Sequence, residues 1–347
     1  MLQLQKLVYG AILALIIGWV LYIGKNVLIP VAFGAVVVYI IIGLAQALFR
    51  IPYVGRNLPL GVRQTLSVLM IAFALFALMQ SVMSYKESAL ALAPQYQQSL
   101  LAAIQRVAVF FQIETEPTWD TLRQDLLAQI NIQKLVGTMV ASASSILVGI
   151  IVVLLYAVFL LVEQRSFATK IANISNDPQS VVRVREIIND INRRIGSYLA
   201  LKTFISMLLG VVSWAIMAFV GLEFAIFLAV LIWFLNYIPY IGSFLGIFFP
   251  VVLAIIQFND PSMIITVLLA LTVAQFLIGN FLDPYVMGSS LNLSPLAILV
   301  SLAVWSELWG VPGAFLAVPI TAIITIISSE FSGTRPIAVM LSQNGRP

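Results

Sequence analysis

Long apolar runs dominate the chain and set its secondary structure. A helix needs about 20 mostly apolar residues to cross a hydrocarbon core of roughly 30 Å. Runs at 7–23, 27–49, 66–83, 146–162, 203–220 and 263–282 meet or approach that length and predict six spanning helices. No small-residue cleavage site follows the first run and a second begins at once, so 7–23 is read as a retained span rather than a leader.

Two further apolar runs, 224–258 and 296–329, are 35 and 34 residues long. As a straight helix the first would extend roughly 52 Å. Each carries a breaker near its middle: Asn236-Tyr237-Ile238-Pro239-Tyr240-Ile241-Gly242 in the first, Gly310-Val311-Pro312-Gly313 in the second. Proline removes a backbone donor and clashes with the preceding turn. Glycine allows backbone angles that a helix does not hold. Such breaks survive at membrane depth only where they are buried in protein or face water. Each run is therefore two shorter helices around a break, and each follows a full span. One unit, a span and then a broken element, occurs twice.

Read as re-entrant hairpins, the two broken elements enter from opposite faces and form an inverted repeat, the architecture of alternating-access transporters. Read as kinked spans, they place 259–260 and 284–295 on the opposite sides. Both readings leave the tail inside, and the hairpin reading is preferred. The fold class is thus an all-α polytopic membrane protein: about six full transmembrane helices plus two broken or re-entrant helical hairpins in a C-terminal inverted repeat.

The polar stretches orient these elements. Arg50, Arg56 and Arg63, with no acid among them, place the loop after the second span in the cytoplasm, along with Lys6 at the N-terminus. Arg165, Lys170, Arg183, Arg185, Arg193 and Arg194 do the same for the segment at 163–196, and Arg335 and Arg346 for the tail at 331–347. The balanced to slightly acidic segment at 85–140 then falls outside. The remaining divisions are 1–84 (three N-terminal helices forming a scaffold), 141–162 (a fourth span) and 197–330 (the transport region). Apolar residues at helical spacing mark both long loops. Tyr96, Leu100, Ile104, Val107 and Phe111 form one outer stripe, and Trp119, Leu122, Leu126 and Ile130 another. Val184, Ile187, Ile191 and Ile195 form an inner one. These helices are expected to lie on the membrane surface or cover the bundle, or else to join subunits or gate access.

Composition agrees and narrows the chemistry. The chain is 61% hydrophobic and only 9% charged, against about 45–50% and about 25% in soluble domains. Its net charge of +4 reflects cytoplasmic loops rather than nucleic-acid binding. There is no Cys and no His, which excludes disulfides, thiolate and imidazole catalysis and the usual zinc sites. No phosphate-cradling glycine motif is present. Neither a cofactor nor an enzymatic activity is expected.

Several strings resemble a known family. Asn236 to Gly242 carries its signature. So do Gly279-Asn280-Phe281-Leu282-Asp283-Pro284 with Met287-Gly288, Leu293-Ser294-Pro295, and Gly310-Val311-Pro312-Gly313 with Ala317-Val318-Pro319-Ile320-Thr321. In this order they are similar to the AI-2E family of transporters, also described as PerM-like permeases. The resemblance implies a multi-pass protein of the bacterial inner membrane that forms a homo-oligomer. It also implies export of autoinducer-2, a small polar signalling molecule, or sodium/proton antiport.

Candidate site residues follow from the breaks. Asn236 and Tyr237 offer an amide and a phenol to a polar solute, or else satisfy freed helix ends. Pro239, Gly242, Pro312 and Gly313 shape the breaks. Gln275 and Asn280 lie in the sixth span, where polar side chains contact solute or a neighbouring helix. Asp283 ends that span and Glu307 precedes the second break; an intramembrane carboxylate is a candidate proton or cation site. Lys202 is expected to snorkel to the interface, and Glu223 to be a loop charge. The expected function is secondary export of a small polar organic solute. The alternatives are a sodium/proton antiporter using Asp283 and Glu307, and a membrane scaffold without transport. The expected partners are membrane lipid, the solute and further copies of the chain.

Overall fold

The computed structural model describes residues 2–49, 58–110, 148–164, 166, 170, 177–258, 260–287 and 291–346. Arg50, Arg56, Arg165, Phe111, Gly288 and the outer stripe from Trp119 to Ile130 lie outside the described residues. Within them the chain is helical: α1 (Leu2–Ile23), α2 (Lys25–Phe49), α3 (Leu60–Phe110), α4 (Val148–Gln164), α5 (Pro178–Val220), α6 (Ala225–Leu235), α7 (Ile241–Phe258), α8 (Pro261–Leu277), α9 (Asp283–Met287), α10 (Pro295–Trp309), α11 (Val311–Glu330) and α12 (Arg335–Leu341). A π-helical turn, Ile278–Leu282, joins α8 to α9. Of these, α2, α5, α7, the run Pro261–Met287 and α11 contain stretches long and apolar enough to cross a membrane.

Three features differ from the sequence reading. Only Gly24 separates α1 from α2, and Gly24 N–H to Val20 O (2.8 Å) and Leu28 N–H to Gly24 O (2.9 Å) carry helical bonding across it. The first two spans are thus joined end to end without a loop. The amphipathic segments are not separate surface helices either. The first outer stripe continues the third span in the 51-residue α3, and the inner stripe runs into the fifth span in the 43-residue α5. Propagating a helix adds one hydrogen bond per residue without a new nucleus, and α3 runs on through Pro94 and α5 through Gly196 without a break. Finally, the arms of each broken element are unequal: 11 and 18 residues in the first, 15 and 20 in the second.

Both broken elements are hairpins. In the first, Gly246 of α7 faces Ile232 of α6, and Gly242 lies against Leu235. In the second, Gly313 of α11 lies against Trp305 of α10, across a tip made of Gly310 alone. Both glycines are required by space. A Cβ on Gly242 would sit 1.8 Å from the Leu235 carbonyl oxygen, and one on Gly313 1.8 Å from that of Trp305. The rest of the α7 seam follows the same logic. Its buried residues, Gly242, Gly246, Pro250 and Ala254, recur every fourth position, a small-residue stripe that lets helices approach closely in lipid.

The chain divides into two compact units. The first contains residues 1–67, 149–203 and 287–347, and so holds α1, α2, α4, the first part of α5 and the second hairpin. Its most buried helix is α11, with Leu316, Ala317 and Ala322 at the centre. Phe315 meets Phe33 of α2, with centroids 5.2 Å apart. Trp309 Nε1 donates to Leu21 O at 3.0 Å. Arg183 of α5 donates to Glu330 O at the end of α11, where an exposed carbonyl favours a cation. Ser294 caps α10 by accepting from Ala297 N at 3.1 Å, with Pro295 in the first turn. The second unit contains residues 68–148 and 204–286. There the first hairpin packs between the second part of α5 and α8. Asp260 caps α8 through Ser262 N at 2.9 Å, with Pro261 following it.

Candidate solute site in the first hairpin

The tip of the first hairpin, residues 236–240, is made of turns held by local bonds. Asn236 N–H donates to Ile232 O (2.9 Å), Ile238 N–H to Leu235 O (2.8 Å) and Gly242 N–H to Ile238 O (2.9 Å). These bonds satisfy backbone groups that the break would otherwise strand. Tyr240 takes a left-handed φ of 61°, an uncommon conformation for a bulky residue. Asn236, Tyr237 and Gly242 are buried, Pro239 is half-buried and Tyr240 is exposed.

Two side-chain hydrogen bonds hold this tip in place. Asn236 Nδ2 donates to Ser206 Oγ of α5 at 2.9 Å. Gln275 Nε2 of α8 donates to Ser243 Oγ in the first turn of α7 at 2.9 Å. Ser206 is fully buried, and Asn236 and Gln275 nearly so. The surrounding side chains, Ile205, Leu209, Ile232 and Ile238, are apolar and buried. Gly279 lies beside that amide: a Cβ there would meet Gln275 Nε2 at 3.6 Å, an ordinary contact. The π-helical turn begins one residue earlier. Such turns are rare and often coincide with functional positions. The arrangement presents two carboxamides and two hydroxyls, all neutral, within an apolar bundle. Its chemistry is hydrogen bonding to an uncharged polar molecule.

The remaining sequence candidates lie elsewhere. Asn280, in the π turn, is exposed, and Asp283 at its end is half-buried. Pro312, Gly313 and Glu307 belong to the second hairpin and the other unit. There Gly313 is buried, Pro312 half-buried, and Glu307 exposed in the last turn of α10. Asp283 and Glu307 therefore fall in different units. Lys202 is buried on α5, only 8% exposed. Glu223 is more than a loop charge. It accepts from the Tyr96 hydroxyl, and its N–H donates to Gln257 Oε1 at 2.8 Å.

Sequence reasoning missed Ser206 and Ser243. A serine inside an apolar helix ordinarily bonds its own backbone, as Ser301 does with Ala297 O at 2.5 Å, so serine alone carried no signal. The position of Ser243 beside the break-forming Gly242 was the available clue.

Comparison with known proteins adds an independent line. The family described as "AI-2E family transporter" matches residues 11–333. A putative transport protein of Borreliella burgdorferi is 34% identical over 194 residues, covering 56% of this chain and 53% of that protein. The AI-2 transport protein TqsA of Escherichia coli K12 is 30% identical over 325 residues, covering 91% of this chain and 92% of TqsA. The putative transport protein YhhT of the same organism is 27% identical over 322 residues, covering 90% and 89%. With the family match running across nearly the whole chain and the motifs of both hairpins in order, this protein belongs to the AI-2E family of membrane transporters.

Proposed function

We propose that the protein is a secondary transporter that exports a small, uncharged, hydroxyl-bearing organic solute, with autoinducer-2 as the leading candidate, across the bacterial inner membrane by alternating access. One observation carries this reading: the polar side chains meeting at the tip of the first hairpin are amides and hydroxyls, not charges. Buried amides and hydroxyls hydrogen-bond a neutral polar solute without the large cost of enclosing an ion. The similarity to TqsA, named as an AI-2 transport protein, supports the choice of solute.

Asn236 and Gln275 are the residues assigned to solute contact. Flux of autoinducer-2 in proteoliposomes tests the assignment, with sodium-driven pH change measured in the same preparation. The expected result is autoinducer-2 movement that falls about tenfold in Asn236→Ala and Gln275→Ala, the effect of losing one buried hydrogen bond. Autoinducer-2 flux unchanged in both variants removes the site. Sodium-coupled proton movement lost in Asp283→Asn or Glu307→Gln, with no autoinducer-2 flux, replaces this reading with cation exchange.

A further inference from the structure

Each amide assigned to the solute is already engaged, and its partner is a hydroxyl. Asn236 is tied to Ser206 on the helix before the hairpin, Gln275 on the helix after it to Ser243. The hairpin tip is thus clasped on both sides by the same kind of bond. We infer that Ser206 and Ser243 are positioning residues that latch the tip, and that a solute opens the latch by substituting its own hydroxyls for theirs. The inference rests on the reading of Asn236 and Gln275 as solute-contacting groups.

The physical argument is one of hydrogen-bond exchange. A buried amide left without a partner is costly, so neither bond opens unless another group takes its place. A hydroxyl carries one donor and two acceptor lone pairs. A solute hydroxyl therefore reproduces what serine offers, and the number of hydrogen bonds is conserved through the swap. An apolar molecule has no acceptor for the amide N–H. A metal cation has none either, and enclosing its charge among apolar side chains is costly. A carboxylate has acceptors but brings a charge among Ile205, Leu209, Ile232 and Ile238, where it is poorly solvated. The latch consequently selects neutral solutes with at least two hydroxyls, one for each clasp. The tip also holds a conformation that persists only while its surroundings impose it: Tyr240 at φ 61°. Opening the clasps frees Tyr240 to leave it, which favours movement of the tip.

The chain has no native cysteine, so a single Ile241→Cys reports on the tip. Ile241 is 45% exposed in the latched state. The rate of labelling by a membrane-impermeant maleimide is measured in proteoliposomes, with and without D-ribose or autoinducer-2. In the Ile241→Cys background either solute is expected to accelerate labelling, and sodium chloride or acetate is not. Ser206→Ala and Ser243→Ala are each expected to raise the solute-free rate roughly tenfold, the effect of one unpaired buried amide, and to flatten the response to solute. Ser206→Thr, which keeps the hydroxyl, restores both. A purely structural serine would not couple labelling to solute. Unchanged labelling in either alanine variant overturns the latch, and the two variants stand in for each other if one fails to fold. Autoinducer-2 flux in the same vesicles separates the claims. Flux with unmoved labelling rejects the latch alone. Accelerated labelling without flux rejects autoinducer-2 as the solute and leaves the latch standing.

Discussion

Two glycines one turn apart on the same face of α7 should respond oppositely to alanine. At Gly242 the new Cβ would fall 1.8 Å from Leu235 O and 2.6 Å from Leu235 C, roughly half the separation of ordinary van der Waals contact. The obstructing atoms are backbone, so no rotamer change relieves them, and the two arms of the hairpin must part. Overpacking a tight core costs typically about 1–3 kcal/mol, and this clash lies at or above the upper end. At Gly246 the nearest atom is Ile232 Cγ1 at 3.5 Å, an ordinary contact. Alanine there adds apolar contact and removes glycine's entropic penalty, worth up to about 0.5–1 kcal/mol in a helix interior. Thermal unfolding of the purified protein in one detergent checks both. Gly242→Ala should lower Tm by several degrees or abolish a monodisperse fold, while Gly246→Ala should leave Tm unchanged or raise it. Equal behaviour of the two variants would refute the close approach at the tip, and with it the hairpin geometry on which the solute site depends.

Gly313→Ala should repeat the loss in the second hairpin, since its Cβ would meet Trp305 O at 1.8 Å; the same melting experiment reads it. Trp309→Phe removes the indole donor to Leu21 O and should cost about 1 kcal/mol, seen as faster hydrogen exchange around the α1–α2 joint. Ser294→Ala should fray the start of α10 by about 1 kcal/mol, with faster exchange at Ala297, whose N–H the serine accepts. Tyr96 gives a pH prediction. Burial, and then its hydrogen bond to Glu223, raise its phenol above the ordinary value of about 10. A raised acid contributes stability that is fully present below its unfolded value and is lost as pH rises through the folded one. The attachment of α3 to the α5–α6 turn should therefore hold at neutral pH and loosen only in strong alkali, beyond pH about 10. Limited proteolysis of α3 across pH should show that step, and Tyr96→Phe should remove it.

The spans were legible because apolar length is a one-dimensional property, and the Pro/Gly breaks marked both hairpins for the same reason. The hairpin geometry itself rests on Gly242 and Gly313, whose role is an absence of atoms at a close approach. Sequence shows that glycine is there but not what it faces. The continuity of α3 and α5 was hidden by a change of composition. A span and an amphipathic segment differ in polarity yet share one backbone path, and neither Pro94 in α3 nor Gly196 in α5 interrupts it. Lys202 shows the limit for charge: its position on α5 was visible, but that it is only 8% exposed was not. The amide–hydroxyl pairs, at separations of 30 and 32 residues, were likewise invisible from the serines alone.

The two hairpins repeat a geometry but not a chemistry. In both, a glycine admits a carbonyl from the first arm, and the second arm is the longer. At the first tip the side chains that meet are Asn236, Ser206, Gln275 and Ser243, each able to exchange partners with a hydroxyl-bearing solute. Near the second tip Trp305 and Trp309 pack with ring centroids 5.2 Å apart, and the Trp309 indole donates to a backbone carbonyl, Leu21 O. An indole N–H donates but does not accept, and a tryptophan pair is stabilised mainly by apolar burial. This pair offers a polar solute little to exchange. If a duplicated hairpin is a mechanical part, its repetition explains the shared glycine; recognition then needs to reside in only one copy. That reasoning places the proposed solute contacts in the first hairpin and gives the second a packing role. Removing the indole donor in Trp309→Phe should accordingly change stability more than solute preference, whereas Ser206→Ala should do the reverse.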